Sequence, residues 1–333
     1  MSTLVPIIDL GRFIQGTEKE RAATIASVQA ALVDVGFFML TNHGVAGDLI
    51  ANLEKAALEF FDLSMEEKNR YSPGGKRANR GYGAVGSRTI GKTEDKTLLP
   101  SLQEGFGISA VDVPEHDPFY KTDIAKDIFV KNNWPSQPAS FEPLASAYYR
   151  EMSRLFQEIM GLLAVALKLP QNHFDPMLSK HGSVLRLVHY PEIDHEPLPG
   201  EVRAGAHTDT GTLTILHIDD TPAALQVLTR SGEWIDINKV QGAYVINIGD
   251  LMMRWTNDIW TSNLHRVANP PFINGRTSRR LSIVYFCQTN YDTLVECLPT
   301  CTSEENPPKY PPVIASQYSS QRAAERFGII PVA

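Results

Sequence analysis

Residues 280–286 read Arg280-Leu281-Ser282-Ile283-Val284-Tyr285-Phe286, and the texture of this run decides the architecture of the chain. Apolar, β-branched and aromatic side chains dominate it over a strand-like length. Comparable runs occupy 184–190, 212–218, 225–228 and 243–248, all beyond Ser183. The turn pairs Asp219-Asp220, Ser231-Gly232 and Asn274-Gly275 separate them. Short strands with regular turns point to a barrel or a two-sheet jelly roll. The core of the chain is therefore mainly β.

Upstream the texture is mixed and partly helical. The apolar run Val5-Pro6-Ile7-Ile8-Asp9-Leu10 fits a short strand. Over 18–35, Ile25, Val28, Leu32 and Val35 recur at helical spacing, and Gly36 ends the helix before a strand at Phe37-Phe38-Met39-Leu40. His43-Gly44 reads as a turn, with Asp48 as the cap of a helix running through Leu53, Ala57 and Phe60-Phe61. Ser64-Met65-Glu66-Glu67 has the form of a capping box. Residues 72–140 read as irregular, with Pro73-Gly74-Gly75, Gly81-Tyr82-Gly83 and Asn133-Trp134-Pro135. So long a weakly periodic stretch is usually functional loop. A long helix follows from 143 to 167, carrying Leu144, Tyr148, Met152, Leu155, Ile159, Leu162 and Val165 on one face, with Pro170 to stop it. This divides one compact unit into an N-terminal region (1–135), a support helix (136–180) and a core with a C-terminal tail (181–333).

The chain has 333 residues, 43% apolar and 21% charged, an ordinary globular composition. A net charge of −7 argues against nucleic acid or an acidic membrane surface as partner. No apolar run is long enough to span a bilayer, and Met1-Ser2-Thr3-Leu4-Val5-Pro6 lacks the pattern of a signal peptide. Three clustered cysteines, Cys287, Cys297 and Cys301, have no paired spacing. The expectation is a cytoplasmic protein, monomeric or weakly homo-oligomeric, whose partner is a small molecule.

Between two of the strand-like runs stands Ala206-His207-Thr208-Asp209-Thr210-Gly211, with His265 far downstream. Residues two apart on an extended chain face the same side, so His207 and Asp209 can point at one metal. Several strands separate them from His265, enough to return it as a third ligand. Two imidazoles and one carboxylate, without a thiolate, form the facial ligand set of non-haem Fe(II) oxygenases. Alone, the His-x-Asp tripeptide is an ordinary polar strand end. His43, His116, His173, His181, His189 and His217 read as structural histidines, His217 being the strongest decoy.

By the same two-residue rule Arg280 and Ser282 share a face, and a guanidinium beside a hydroxyl makes a good clamp for a carboxylate. Taken together, these segments resemble the isopenicillin-N-synthase-like family of Fe(II)/2-oxoglutarate-dependent dioxygenases. The resemblance rests on Val5 to Leu10, Gly36-Phe37-Phe38, Asn42-His43-Gly44-Val45, Phe60-Phe61-Asp62-Leu63, Glu66-Glu67-Lys68, Arg80-Gly81-Tyr82 and Asn133-Trp134-Pro135. It continues through Leu185-Arg186-Leu187-Val188-His189-Tyr190-Pro191, Ala206 to Gly211, Asn247-Ile248-Gly249-Asp250, His265-Arg266-Val267 and Arg280-Leu281-Ser282. The wording around Leu185 to Tyr190 and Arg280 to Gln288 is similar to thymine-7-hydroxylase-like members.

The resemblance implies a double-stranded β-helix (jelly roll) with an N-terminal helical region packed around it. It implies iron on His207, Asp209 and His265, and the distal carboxylate of 2-oxoglutarate on Arg280 and Ser282 with Tyr190 as helper. Dioxygen is the second co-substrate, and ascorbate enters as a reductant. Asn247-Ile248-Gly249-Asp250 is read as structural, with Gly249 permitting a tight turn and Asp250 bonding to its backbone. Many plant members carry an asparagine two residues before the tyrosine, where this chain has Val188. Arg186, on the same face, then needs a partner among the inner carboxylate of 2-oxoglutarate, a polar substrate and an internal acid. Further substrate candidates are Tyr82, Phe106, Leu228, Arg254 and Phe286, with Gln288 extending the arginine strand.

The implied reaction hydroxylates, desaturates or cyclises a small molecule while 2-oxoglutarate becomes succinate and carbon dioxide. Two rivals share the fold: an iron oxidase that needs no 2-oxoglutarate, and a metal-containing binder without turnover. Oxygen uptake with and without 2-oxoglutarate separates the first, and succinate production dismisses the second.

Overall fold

The computed structural model describes residues 5–73, 80–87, 90, 99–221 and 225–327, with only the backbone at 326 and 327. The readings at Met1 to Leu4 and at Gly74-Gly75 lie outside the described residues. The chain opens with β1 (Ile7–Asp9), α1 (Leu10–Ile14), α2 (Glu18–Asp34), β2 (Phe37–Thr41), α3 (Gly47–Phe61) and α4 (Met65–Asn69). Next come β3 (Gly81–Gly83), β4 (Glu104–Ile108), α5 (Asp123–Ile128), α6 (Phe141–Ala166) and α7 (Asp175–Leu178). The core follows with β5 (Val184–Tyr190), β6 (Ala204–His207), β7 (Leu213–Ile218), β8 (Leu225–Leu228), β9 (Trp234–Asp236) and β10 (Tyr244–Ile248). Then come α8 (Asp250–Trp255), β11 (His265–Val267), β12 (Arg280–Cys287), β13 (Leu294–Val295), β14 (Val313–Ile314) and α9 (Ala315–Phe327).

The architecture is mixed α/β. Among the described residues a large sheet runs β1-β2-β10-β7-β12-β5-β4-β3, antiparallel except where β1 meets β2. A second, antiparallel sheet runs β6-β11-β8-β9. Strand β12 shows how the sequence builds the layers. Leu281, Ile283, Tyr285 and Cys287 face the helices and share one apolar cluster with Leu185, Leu187 and with Met152, Phe156 and Ile159 of α6. Arg280, Ser282, Val284 and Phe286 face the other way, into a pocket between the two sheets. Burying each large apolar side chain contributes roughly 1.5–3 kcal/mol, so a one-residue slip that buried Arg280 and Ser282 against the helices is strongly excluded. The register is thereby fixed by the core, and it aims the polar residues.

Several expectations hold at the level of elements. Helix α2 starts after Thr17 with a capping box to Glu20, and Gly36 follows it at φ 74°. Strands β5 and β8 fall where the sequence places them, and Ser64 caps α4 with Glu67 as a full capping box. Three expectations need correcting. Asp48 does not cap α3: the N-cap is Ala46, and the Asp48 carboxylate accepts instead from the next backbone N–H, that of Leu49. Helix α6 ends at Ala166, before Pro170, because Lys168 turns left-handed at φ 60° and Leu169 N–H closes back on Ala164 O. The stretch 72–140 is not wholly irregular. It contains β4, buried along its whole length between β3 and β5. No described helix is long and apolar enough to cross a membrane. Cys287, Cys297 and Cys301 are free thiols.

A buried polar cluster ties the N-terminal elements to the strands that carry the pocket. Glu104 accepts from Lys68 Nζ at 2.9 Å, Tyr82 OH at 2.6 Å and His189 Nδ1 at 2.7 Å. His189 Nε2 in turn accepts from Arg279 Nε at 2.7 Å. His189 and Arg279 immediately precede Tyr190 and Arg280, so the cluster steadies two pocket residues from the far side of the sheet. Burial alone would raise the Glu104 carboxyl, but the bonds from His189, Lys68 and Tyr82 hold it below its ordinary 4.5. A carboxyl depressed on folding contributes its stability above the unfolded value and loses it as pH falls through the folded one. Glu104→Gln should therefore cost about 3 kcal/mol at neutral pH, since it strands Lys68, and should flatten the decline of stability below about pH 4.5. Denaturant titrations of both proteins across that range measure this; an unaltered acid limb would show that the cluster carries no such linkage.

Candidate active site

The residues that matter converge between the two sheets because of strand pairing. His265 of β11 stands directly opposite His207 of β6, which brings their ring centroids to 4.3 Å. Asp209 lies two residues past His207, just beyond the end of β6. Its Oδ1 is 4.0 Å from His207 Nε2 and 3.9 Å from His265 Nε2. One ligand-type atom from each residue lies within 4.8 Å of the other two. Each histidine turns Nδ1 toward a backbone carbonyl, His207 to Gly205 O at 2.8 Å and His265 to Asn263 O at 3.2 Å. Those contacts assign the proton to Nδ1 and leave the Nε2 lone pairs facing Asp209. Phe37 meets the His265 ring edge-on at 5.6 Å and limits its rotation.

The other oxygen of Asp209 is occupied. Oδ2 accepts from Thr214 Oγ1 at 2.6 Å and from Asn247 Nδ2 at 2.8 Å. Burial would push the carboxyl up, but the two imidazoles and these two hydrogen bonds bring it below its ordinary value. The donor set, two neutral nitrogens and one carboxylate oxygen, fits a divalent iron. Thr214 and Asn247 were not among the site residues expected from sequence. Their signal is strand parity: Thr214 on β7 and Asn247 on β10 point into the same pocket, which shows only once the strands are paired. Asn247 therefore does more than build a turn.

Its neighbours also differ from expectation. Gly249 has an ordinary extended φ of −97°, so no special turn requires it. Close approach does: a Cβ there would lie 2.2 Å from Gly211 O. Asp250 directs its carboxylate to Ser262 Oγ at 2.7 Å and to Arg322 Nε at 3.3 Å rather than to its own turn. Its backbone N–H donates to Asp209 O at 2.7 Å, so it holds the candidate ligand's main chain.

At the other end of the pocket Arg280 and Tyr190 are opposite partners in the β12–β5 ladder. Arg280 is 2% exposed and donates through Nε to Ser282 Oγ at 3.3 Å and through Nη1 to Thr221 O at 3.3 Å. Asp219 Oδ1 is 4.0 Å from Arg280 Nη1, while its Oδ2 accepts from Leu281 N–H at 2.6 Å. Burial raises the Tyr190 phenol, against the opposing pull of Arg280, Arg203 and Arg186, so it stays a neutral hydroxyl. Arg186 also reaches the pocket, packed against Gly105, where a Cβ would come within 3.0 Å of its Nε. It has no hydrogen bond or ion pair among the described residues. Burial pulls its guanidinium down to about 10, so it remains a cation at neutral pH.

Of the substrate candidates, Arg186 and Phe286 line the pocket and four do not. Tyr82 gives its hydroxyl to Glu104, and Phe106 packs between Phe60 and Phe141 at 5.2 Å from each; both are in the helix-side core. Leu228 has the wrong parity on β8, whose Leu225 is the residue lining the pocket. Arg254 is held in α8 between the rings of Tyr310 and Tyr318 and donates to Pro311 O at 2.9 Å. Gln288 falls just past the end of β12, against Gly211, and does not line the pocket. The decoy His217 points to the helix side, where Nε2 meets Glu54 at 2.9 Å.

This geometry has known counterparts. Residues 5–137 match the family described as non-haem dioxygenase in morphine synthesis N-terminal, and residues 181–289 match the 2OG-Fe(II) oxygenase superfamily. The chain is 34% identical to the 2-oxoglutarate-Fe(II) type oxidoreductase hxnY of Emericella nidulans, over 93% of this chain and 87% of that protein. It is 32% identical to a homoarginine-6-hydroxylase of Glycine max, over 91% of this chain and 90% of that protein. A full-length Neurospora crassa protein, crystallised in complex with alpha-KG and thymine, superposes with a TM-score of 0.83 at 30% identity, covering 96% of each chain. The chain belongs to the 2-oxoglutarate–Fe(II) oxygenases, in the isopenicillin-N-synthase-like branch, and is a small-molecule oxidoreductase that uses Fe(II) and 2-oxoglutarate.

Proposed function

We propose that His207, Asp209 and His265 hold Fe(II), and that Arg280, Ser282 and Tyr190 take the distal carboxylate of 2-oxoglutarate. Substrate meets Arg186 and Phe286 in the same pocket. The observation that carries this is the meeting of a complete His-Asp-His set and a buried arginine–serine pair in one pocket. We read the two facing sheets as a double-stranded β-helix, with 1–135 and 136–180 packed around the core of 181–333.

Bound there, iron supplies the activation of dioxygen coupled to decarboxylation of 2-oxoglutarate. The chain supplies the rest. Thr214 and Asn247 occupy one Asp209 oxygen, so the carboxylate would offer a metal its Oδ1. The Gly205 and Asn263 carbonyls hold the imidazole tautomers. Arg280 and Ser282 orient the co-substrate from its far end. Phe37, Val188, Leu216, Val267, Val284 and Phe286 keep the pocket apolar and exclude water from the reacting atoms. Among the described residues Arg186 is a cation without an acid as partner, which favours a substrate bearing an anionic or carbonyl oxygen. We take the outcome to be hydroxylation, with succinate and carbon dioxide released.

The direct test is anaerobic: Fe(II) and 2-oxoglutarate should give a visible absorption band that shifts when a substrate of this class is added. His207→Ala should abolish Fe(II) binding in metal titrations, and succinate formation with it. Arg280→Ala should keep its iron while the 2-oxoglutarate concentration for half-saturation rises on the order of a hundredfold; an unchanged value would refute the assigned anchor. Thr214→Val should weaken Fe(II) binding about tenfold by freeing the second Asp209 oxygen. Calorimetric metal titration of the folded variant checks this, and wild-type affinity would remove Thr214 from the metal's support.

A further inference from the structure

The anion end of the pocket holds more positive charge than one carboxylate clamp needs. Arg203, at the entry to β6, is 2% exposed, and its guanidinium carbon lies 5.4 Å from the centre of the Tyr190 ring. It donates through Nη2 to Ser278 O, and its backbone carbonyl accepts from Gln103 Nε2 at 2.9 Å. Its Nη1 is buried and has no hydrogen-bond partner among the described residues. The acid on this side, Asp219, is already engaged with Leu281 N–H and stands beside Arg280. Arg203 and Arg280 therefore act on Tyr190 as two buried cations that share one partly committed carboxylate. Burying like charges together is costly unless an anion completes the set. Burial and the nearby Arg280 lower the Arg203 guanidinium, but only to about 10, so it does not escape by losing its proton.

We infer that Arg203 is a positioning residue for the dicarboxylate co-substrate, lying over the Tyr190 ring and adding a second positive charge to the distal-carboxylate end of the pocket. The inference rests on the proposed role of Arg280 as anchor. It explains why an arginine is buried where its only hydrogen-bond acceptor among the described residues is a carbonyl, that of Ser278. Were Arg203 merely a stitch between the loop before β6 and Ser278, its removal would loosen the pocket for every ligand alike. A role toward the distal carboxylate is selective.

The selectivity is measurable by titrating the anaerobic Fe(II) holoenzyme with 2-oxoglutarate and with 2-oxopentanoate. The second ligand has the same 2-oxo acid end but a methyl group in place of the distal carboxylate. Arg203→Gln is expected to weaken 2-oxoglutarate about tenfold and to change 2-oxopentanoate by less than about twofold. Arg203→Lys, which keeps the charge but not the planar guanidinium, should lose about threefold, again for 2-oxoglutarate alone. Equal losses for both ligands, or none, in whichever variants fold would overturn the inference. Arg280→Gln is titrated alongside. If it erases the preference for the dicarboxylate while the Arg203 variants keep it, only the role of Arg203 falls. If the preference survives in all of them, the anchor reading falls with it.

Discussion

One carboxylate joins the two sheets. Asp209 gives one oxygen to Thr214 and Asn247 of the large sheet and turns the other toward His207 and His265 of the small one. Its main-chain carbonyl is held by Asp250 N–H, and Gly249 packs against Gly211 too closely for any side chain. A buried carboxylate is costly unless its lone pairs are engaged. Here Thr214 and Asn247 engage one oxygen, and the other, which faces the two imidazoles, is the one we propose for the metal. That division ties the large sheet to the imidazoles of the small one, whose rings are oriented by the Gly205 and Asn263 carbonyls.

The opposite end of the pocket obeys the same logic with the sign reversed. Arg280, Arg203 and Arg186 converge around a neutral phenol with less acid than they need. Without an anion this arrangement is electrostatically unfavourable, and under the proposed assignment relieving it would contribute to 2-oxoglutarate affinity. Between the two charged ends lie apolar side chains from both sheets, which lower the local dielectric and strengthen each interaction. The cluster around Glu104 braces this end from behind through His189 and Arg279, the residues next to Tyr190 and Arg280.

Strands β5 and β12 are legible in the sequence because both their faces are buried and turn residues bound them. The candidate ligands and the arginine–serine pair are legible because the two-residue rule needs only local extended structure. Strands β6 and β11 of the small sheet are not. Ala204-Gly205-Ala206-His207 contains no β-branched residue, and β11 has three residues, so neither segment looks like a strand until it is paired with the other. The same gap misplaced Tyr82 and Phe106. Their register with Leu187 puts all three on the helix side, and that register is not written in residues 72–140 themselves. Arg203 and Thr214 were overlooked for a related reason: nothing local distinguishes a loop arginine or a strand threonine from its neighbours. Contacts across the fold give them their meaning.

The most direct test of the account is a crystal structure of the protein grown with Mn(II), a redox-stable substitute for Fe(II), and 2-oxoglutarate. The account expects one metal bonded to His207 Nε2, Asp209 Oδ1 and His265 Nε2, with the far carboxylate of 2-oxoglutarate paired to Arg280. A metal held elsewhere, or bonded through both Asp209 oxygens with the Thr214 and Asn247 contacts broken, would contradict it.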